Sequence, residues 1–195
     1  MANFEEFSNR LGTLKNSSYG DIIDNLIIDF EVAELKQLLR KQKYKGNPNF
    51  DNEYSFVTFD KFVDIAKSKG AGIAPEIKIP NFINKVLAQR GTNITVEDLV
   101  LNALTKHGYT GSEDKCLLQC FELSTITEFH RRSEVKLVFH LETLDQTSLE
   151  NLQKIKNEGV YAIGLDKKLI VPRNAKGHLI SKGYFGFFNS PEITN

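Results

Sequence analysis

The chain has 195 residues, 41% of them hydrophobic, and its 25 Lys+Arg balance 25 Asp+Glu to a formal net charge of zero. That is enough apolar material for one domain with a real core. Nothing in that balance demands a nucleic acid or an acidic membrane surface as partner, and no nucleic acid is expected.

The N-terminus, Met1-Ala2-Asn3-Phe4-Glu5-Glu6, lacks the basic-then-apolar layout of a signal peptide. The most apolar run, Ile22 to Phe30, is broken by Asp24, Asn25 and Asp29, so no transmembrane segment is expected. As written, the chain reads as soluble and cytoplasmic. Asn16-Ser17-Ser18 and Asn93-Ile94-Thr95 match the glycosylation triplet, but without a signal peptide they read as chance matches.

The first thirty residues carry little readable signal. From there, Asp29 reads as an N-cap before an apolar helical stripe of Val32, Leu35, Leu38 and Leu39. A polar turn region follows at Gly46, Asn47, Pro48, Asn49 and Asp51. Thr58 caps a second expected helix with Phe59, Phe62, Val63 and Ala66 inward and Gly70 at its end. Ile73 to Ile79 is the first expected strand, closed by Pro80. Phe82 to Gln89 is weakly helical. A stronger helix starts at Thr95, with Val96, Leu99, Val100 and Leu104 inward and Gly108 as its stop.

Alternation then becomes regular. Cys116 to Phe121 is a strand, Thr125 with Glu128 suggests a capping box for the next helix, and Val135 to Leu141 is a strand. Thr147 with Glu150 repeats the box, the helix ends near Gly159, and Val160 to Leu165 is the last clear strand. These connections suit parallel pairing, and the near-continuous apolar runs suit strands covered on both faces. The pattern predicts an α/β fold, either half of a (β/α) barrel or a small open sheet. A full barrel takes about 250 residues and rarely fewer than about 200. Cys116 and Cys120 share one strand, where four residues at ~3.3 Å per residue separate them by ~13 Å, beyond disulfide reach. They read as two small buried apolar residues.

In Pro75-Glu76-Ile77-Lys78-Ile79-Pro80, Glu76 and Lys78 share one strand face and Ile77 and Ile79 the other. Periodicity alone makes Glu76 and Lys78 a solvated pair on an exposed face. Gln119 and Phe121 likewise share a face, and are equally a satisfied core amide and a core aromatic on that ground.

Five stretches, in order, carry a family likeness: Asp29-Phe30-Glu31-Val32-Ala33-Glu34-Leu35-Lys36, Val57-Thr58-Phe59-Asp60, Glu76-Ile77-Lys78, Leu118-Gln119-Cys120-Phe121-Glu122, and Ile163-Gly164 with Leu169-Ile170. In these the chain resembles the glycerophosphodiester phosphodiesterases, over the span from about Asn3 to Ile170. The resemblance implies a partial TIM-type (β/α) barrel and a single domain over residues 1–195, truncated at both ends. It implies metal-dependent hydrolysis of a small-molecule glycerophosphodiester to glycerol 3-phosphate and an alcohol. It casts Glu76 as a ligand of a divalent metal, calcium or magnesium, Lys78 as the cation facing the phosphate, and Gln119 and Phe121 as substrate-binding residues at the barrel mouth.

The family's His-Arg-Gly strand, its Pro-Glu-Asn-Thr helix, its two-ligand acidic strand and its second histidine beside an aspartate are not in this sequence. Of the four histidines, His107 sits at a helix end, His130 beside Arg131 and Arg132, and His178 in a basic tail. His140 is the one expected to face the mouth. None has the family's catalytic context, so no catalytic residue is expected and the chain alone is expected to be inactive. The alternative is a catalytically inactive binding module. The basic stretch Lys167 to Lys182, followed by Tyr184, Phe185, Phe187 and Phe188, reads as a solvated loop with aromatics that pack elsewhere. Unpaired strand edges predict self-association.

Overall fold

The computed structural model describes residues 12–17, 20–24, 27–40, 48–171 and 173–179. Asn3, Asn25, Gly46, Asn47, Ser18 of the first glycosylation triplet and the aromatics from Tyr184 to Phe188 lie outside the described residues. The chain divides into two compact units, Met1–Gly72 with Asn81–His107, and Ile73–Pro80 with Gly108–Asn195. Among the described residues no helix is long and apolar enough to cross a membrane.

The first unit holds a hairpin and most of the early helices. Strands β1 (Gly12–Ser17) and β2 (Gly20–Asp24) pair antiparallel, with Thr13 opposite Ile23 and Leu14 opposite Ile22. This hairpin was not expected from the sequence. The helix expected from Asp29 to Leu39 is only α1 (Val32–Leu35), capped by Glu31 and with no buried residue. Leu39 instead forms an isolated antiparallel bridge with Ser55. Lacking a buried face, the apolar stripe has nothing to extend the helix against.

Helix α2 (Phe59–Ser68) starts where Thr58 Oγ1 accepts from the Lys61 amide at 3.3 Å. It buries Val63 and Ala66, whereas Phe62 is exposed, contrary to expectation. Gly70 follows the helix at φ +63°, the left-handed turn that favours glycine.

Pro80 begins α3 (Pro80–Gln89), at the first helical position where its missing N–H costs nothing. Phe82 and Val86 of α3 are buried with Ile28 and Ile83 packed against them. Helix α4 (Val96–Lys106) has a reciprocal capping box, Thr95 Oγ1 with the Asp98 amide and Asp98 Oδ2 with the Thr95 amide. Its buried set is Val96, Glu97, Leu101 and Leu104, while Leu99 points outward. The expected stripe keeps Val96 and Leu104 but is rotated by less than one residue's ~100°, and Asn84 of α3 binds both Glu97 Oε2, at 2.8 Å, and the Val96 amide, at 2.7 Å. An acidic residue on the inner face is thereby satisfied.

The second unit is built on a parallel sheet of four strands in the order β3-β4-β5-β6. These are β3 (Glu76–Ile77), β4 (Leu117–Cys120), β5 (Lys136–Leu141) and β6 (Ala162–Leu165). All three pairings are parallel, as expected, and the strand of Glu76 lies beside the strand of Gln119. Helices alternate with the strands: α5 (Leu123–Arg132) precedes β5, α6 (Leu149–Asn157) precedes β6, and the short α7 (Lys167–Ile170) follows. The chain therefore has the expected α/β class, a parallel sheet alternating with helices as in part of a (β/α) barrel.

Two helix starts differ from expectation. Helix α5 begins at Leu123 with Glu122 as N-cap, so Thr125 is no capping residue but a buried one on the second half-turn. Helix α6 is capped by Ser148, whose Oγ accepts from the Asn151 amide at 3.3 Å, and not by Thr147. Thr147 closes the preceding 3-10 turn through Leu144 O.

The two sheet faces differ sharply. Ile77, Leu118, Cys120, Leu137, Phe139 and Leu141 are all buried, and α5, which packs on β4 and β5, adds the fully buried Ile126 and Phe129. Cys116 and Cys120 belong to this buried side as free thiols. The opposite face carries Glu76, Leu117, Gln119, Lys136, Val138 and His140 and is only partly covered. The strands β3 to β5 are thus covered on one face, not two, while at β6 Ile163 on that face is exposed.

Candidate functional site

Parallel register decides which side chains meet. Glu76, Gln119, Val138 and Ala162 stand opposite one another across the sheet. His140 and Gly164 pair in the next row of that face, and just past the ends of β3 and β4 Lys78 lies against Glu76 and Phe121 against the His140 ring. That row lies at the C-terminal ends of the strands, the end where (β/α) sites are built. All four residues singled out in the sequence, Glu76, Lys78, Gln119 and Phe121, therefore belong to one face and one end of the sheet.

Lys78 Nζ lies 3.2 Å from Glu76 Oε1. The lysine side chain is 75% exposed and the glutamate 29%, so the pair is worth only about 0–1 kcal/mol to stability. The next residue, Ile79, has φ +47°, a region costing a residue with a Cβ roughly 1–2 kcal/mol. The chain accepts that strain where it turns from Lys78 into Pro80 and α3.

Gln119 is oriented at both ends of its amide. Nε2 donates to Ala74 O at 2.7 Å, which leaves Oε1 to face His140 Nε2 at 2.9 Å. Phe121 stacks on the His140 ring, with centroids 4.6 Å apart and planes 25° from parallel. Phe121 is 38% exposed. It is thus neither a closed core aromatic nor a loose surface ring, but one wall of a half-open row. His140 does lie on the mouth-facing side. What the sequence did not reveal is the part played by Gly164: a Cβ there would fall inside 3.0 Å of His140 Nδ1 and Cε1. The clue available was only that Gly164 sits mid-strand, where a glycine signals close approach of another group.

A second polar cluster lies in the first unit. His107 Nε2 is 2.6 Å from Asp60 Oδ1, Lys106 Nζ is 2.9 Å from Asp60 Oδ2, and His107 Nδ1 is 3.8 Å from Asp64 Oδ1. Lys67 Nζ donates to His107 O. The hydrogen bond from Lys106, then that from His107, hold the Asp60 carboxyl below its ordinary pKa. The sequence reading placed His107 at a helix end but missed this ring of partners. Asp60 and Asp64, one turn apart on α2, were the available sign.

Among the described residues, the carboxylate singled out for a metal is Glu76. Glu76 offers one carboxylate, already facing an ammonium at 3.2 Å, whereas calcium takes 6–8 oxygen ligands. Among the described residues no three His, Cys, Asp or Glu side chains are grouped to hold a metal ion. His130 and His178 are exposed. No protein-family model matches the chain.

Proposed function

We propose that the C-terminal row of the parallel sheet recognises a phosphodiester, and that the chain belongs to a machinery that hydrolyses glycerophosphodiesters to glycerol 3-phosphate and an alcohol. The observation that carries this reading is the convergence of Glu76, Lys78, Gln119 and Phe121 on one face at one end of the strands. Lys78 supplies a mobile ammonium for a phosphate oxygen. Glu76 holds that ammonium over the sheet until an anion competes for it, and Phe121 walls the side toward β5.

Turnover requires a group to take a proton from water and another to return one to the leaving alcohol, each worth about 10²–10⁴ in rate. No histidine in this chain has the His-Arg-Gly or His-Asp context of the resembled family. The 195-residue chain is therefore expected to leave glycerophosphocholine unhydrolysed with either calcium or magnesium added. Turnover that disappears on Glu76→Ala would contradict this.

The Glu76–Lys78 ion pair also favours a second reading, a binding module without turnover, since it occupies the one carboxylate offered to a metal. Joining a His-Arg-Gly strand to this chain separates the two. Hydrolysis that Lys78→Ala then abolishes supports the enzyme, and continued silence supports the module.

A further inference from the structure

The basic stretch after β6 has no part in the phosphodiester reading. From Lys167 to Pro191 the sequence has five Lys or Arg and no Asp or Glu. That leaves 20 Lys+Arg against 25 Asp+Glu in the rest of the chain, a net charge of −5. The chain is neutral as a whole and divided in charge along its length.

The structure shows where these cations stand. Lys167, Lys168, Arg173 and Lys176 are all exposed, and among the described residues none of the four has an ion pair. Asp166, the acid just before them, is engaged by α7, where its Oδ1 accepts from the Lys168 amide at 2.8 Å. Three aliphatic side chains lie exposed among the cations: Ile170 at 41%, Val171 at 42% and Leu179 at 62%. The backbone gathers the later members. Arg173 and Leu179 pair in an antiparallel bridge, and between them Asn174 Oδ1 accepts from the Lys176 and His178 amides, both at 3.0 Å. Arg173 spends one hydrogen bond here, to Gly177 O at 2.8 Å.

Single exposed aliphatics are ordinary, but three of them among four unpaired cations make a composite surface. An acidic bilayer suits both halves of it: the cations meet anionic headgroups while the aliphatics enter the boundary with the acyl chains. A nucleic acid suits only the cations, since no Phe, Tyr or Trp among the described residues of the stretch offers a base a stacking face. We infer that the described residues between Lys167 and Leu179 form a docking surface for a bilayer with acidic phospholipid headgroups. The inference stands apart from the phosphodiester reading. The surface begins where β6 ends, and the Asp166 amide binds Leu141 O of β5 at 2.9 Å, so docking holds the C-terminal ends of these strands near the lipid.

The test is flotation of the full chain with lipid vesicles, which separates vesicle-bound chain from self-associated chain that sediments. The chain should float with phosphatidylcholine vesicles carrying about one third phosphatidylserine, and not with phosphatidylcholine alone. Binding should fall as salt rises from about 0.05 to about 0.5 M. Each cation near such a surface is worth about fivefold in affinity, so Lys168→Gln with Lys176→Gln should weaken binding roughly 20-fold. Leu179→Ser should weaken it several-fold without changing the salt dependence. Lys154→Gln with Lys156→Gln, an exposed pair at the end of α6 that leads toward the start of β6, should leave binding unchanged.

No flotation with the acidic vesicles would overturn the inference, as would equal flotation with phosphatidylcholine alone. An equal loss for the α6 pair would show general charge attraction and overturn it too. Vesicle binding indifferent to Leu179→Ser, with a single-stranded oligonucleotide bound through Lys168 and Lys176, would replace the bilayer by a nucleic acid. None of these results bears on whether the sheet recognises a phosphodiester.

Discussion

Asp60 shows how one carboxylate is fixed by its neighbours. Lys106 and His107 hydrogen-bond to it and lower its pKa from 3.8. A group depressed in the folded state stabilises the fold above its unfolded pKa, and that contribution is lost as pH falls through the folded value. Asp60→Asn should therefore lower the melting temperature at neutral pH. The gap from wild type should close as pH is taken below 3.8, and a gap that persists in acid would show that the charge is not what matters. The thiols make a second residue-scale prediction. Burial, with Asp114 nearby, pushes the Cys116 thiol up to about 11, and both cysteines are buried. Reactivity tracks the thiolate, so neither should react with a disulfide reagent until denaturant opens the fold. Fast labelling of the native chain would contradict the buried strand face.

At the scale of elements, the sequence was most legible where a cap and a burial pattern agreed. Thr58 and Thr95 were read as helix starts and are. Thr125 and Thr147 each have a glutamate three residues on, yet neither caps a helix, because Glu122 and Ser148 take that place. The box pattern says that a helix begins nearby; which residue takes extended backbone angles depends on where the preceding strand or turn delivers the chain. The hairpin of β1 and β2 was not legible, since each strand is short and Asp21 and Asp24 interrupt the alternation. In α4, Glu97 lies inward because Asn84 meets it, a partner from another helix that no local pattern reveals. Thr95→Ala should cost about 1 kcal/mol in a denaturant melt by removing the α4 box, while Thr147→Ala should leave the α6 cap intact. Phe129→Ala, which empties the fully buried contact of α5 with the sheet, should cost about 3–5 kcal/mol. Equal small losses for Thr95 and Phe129 would mean that α5 is not seated as described.

For the whole molecule, the parallel sheet and its strand order were legible because strands and helices alternate and each crossover is long. The candidate site was legible in part. Alternation put Glu76 with Lys78 and Gln119 with Phe121, and only the family resemblance singled them out, while the Gln119–His140–Gly164 contact depends on the register of three strands, which the sequence does not display. Among the described residues β3 and β6 each have a single strand neighbour, and β3 is two residues long. Open edges beside the partly exposed Leu117 and Phe121 predict self-association. Sedimentation should show a mass that rises with concentration, and a melt independent of concentration would contradict it.

The central claim is that the C-terminal ends of the parallel strands recognise a phosphodiester. Its most direct test is a backbone-amide NMR titration of the 195-residue chain with glycerophosphocholine. Saturable shifts are predicted to cluster at Lys78 and Ile79, at Phe121 and Glu122, and at His140 to Glu142, the residues where β3, β4 and β5 end on one side of the sheet. No saturable shift, or shifts gathered at the opposite ends of these strands around Ile73, Cys116 and Lys136, would contradict the account.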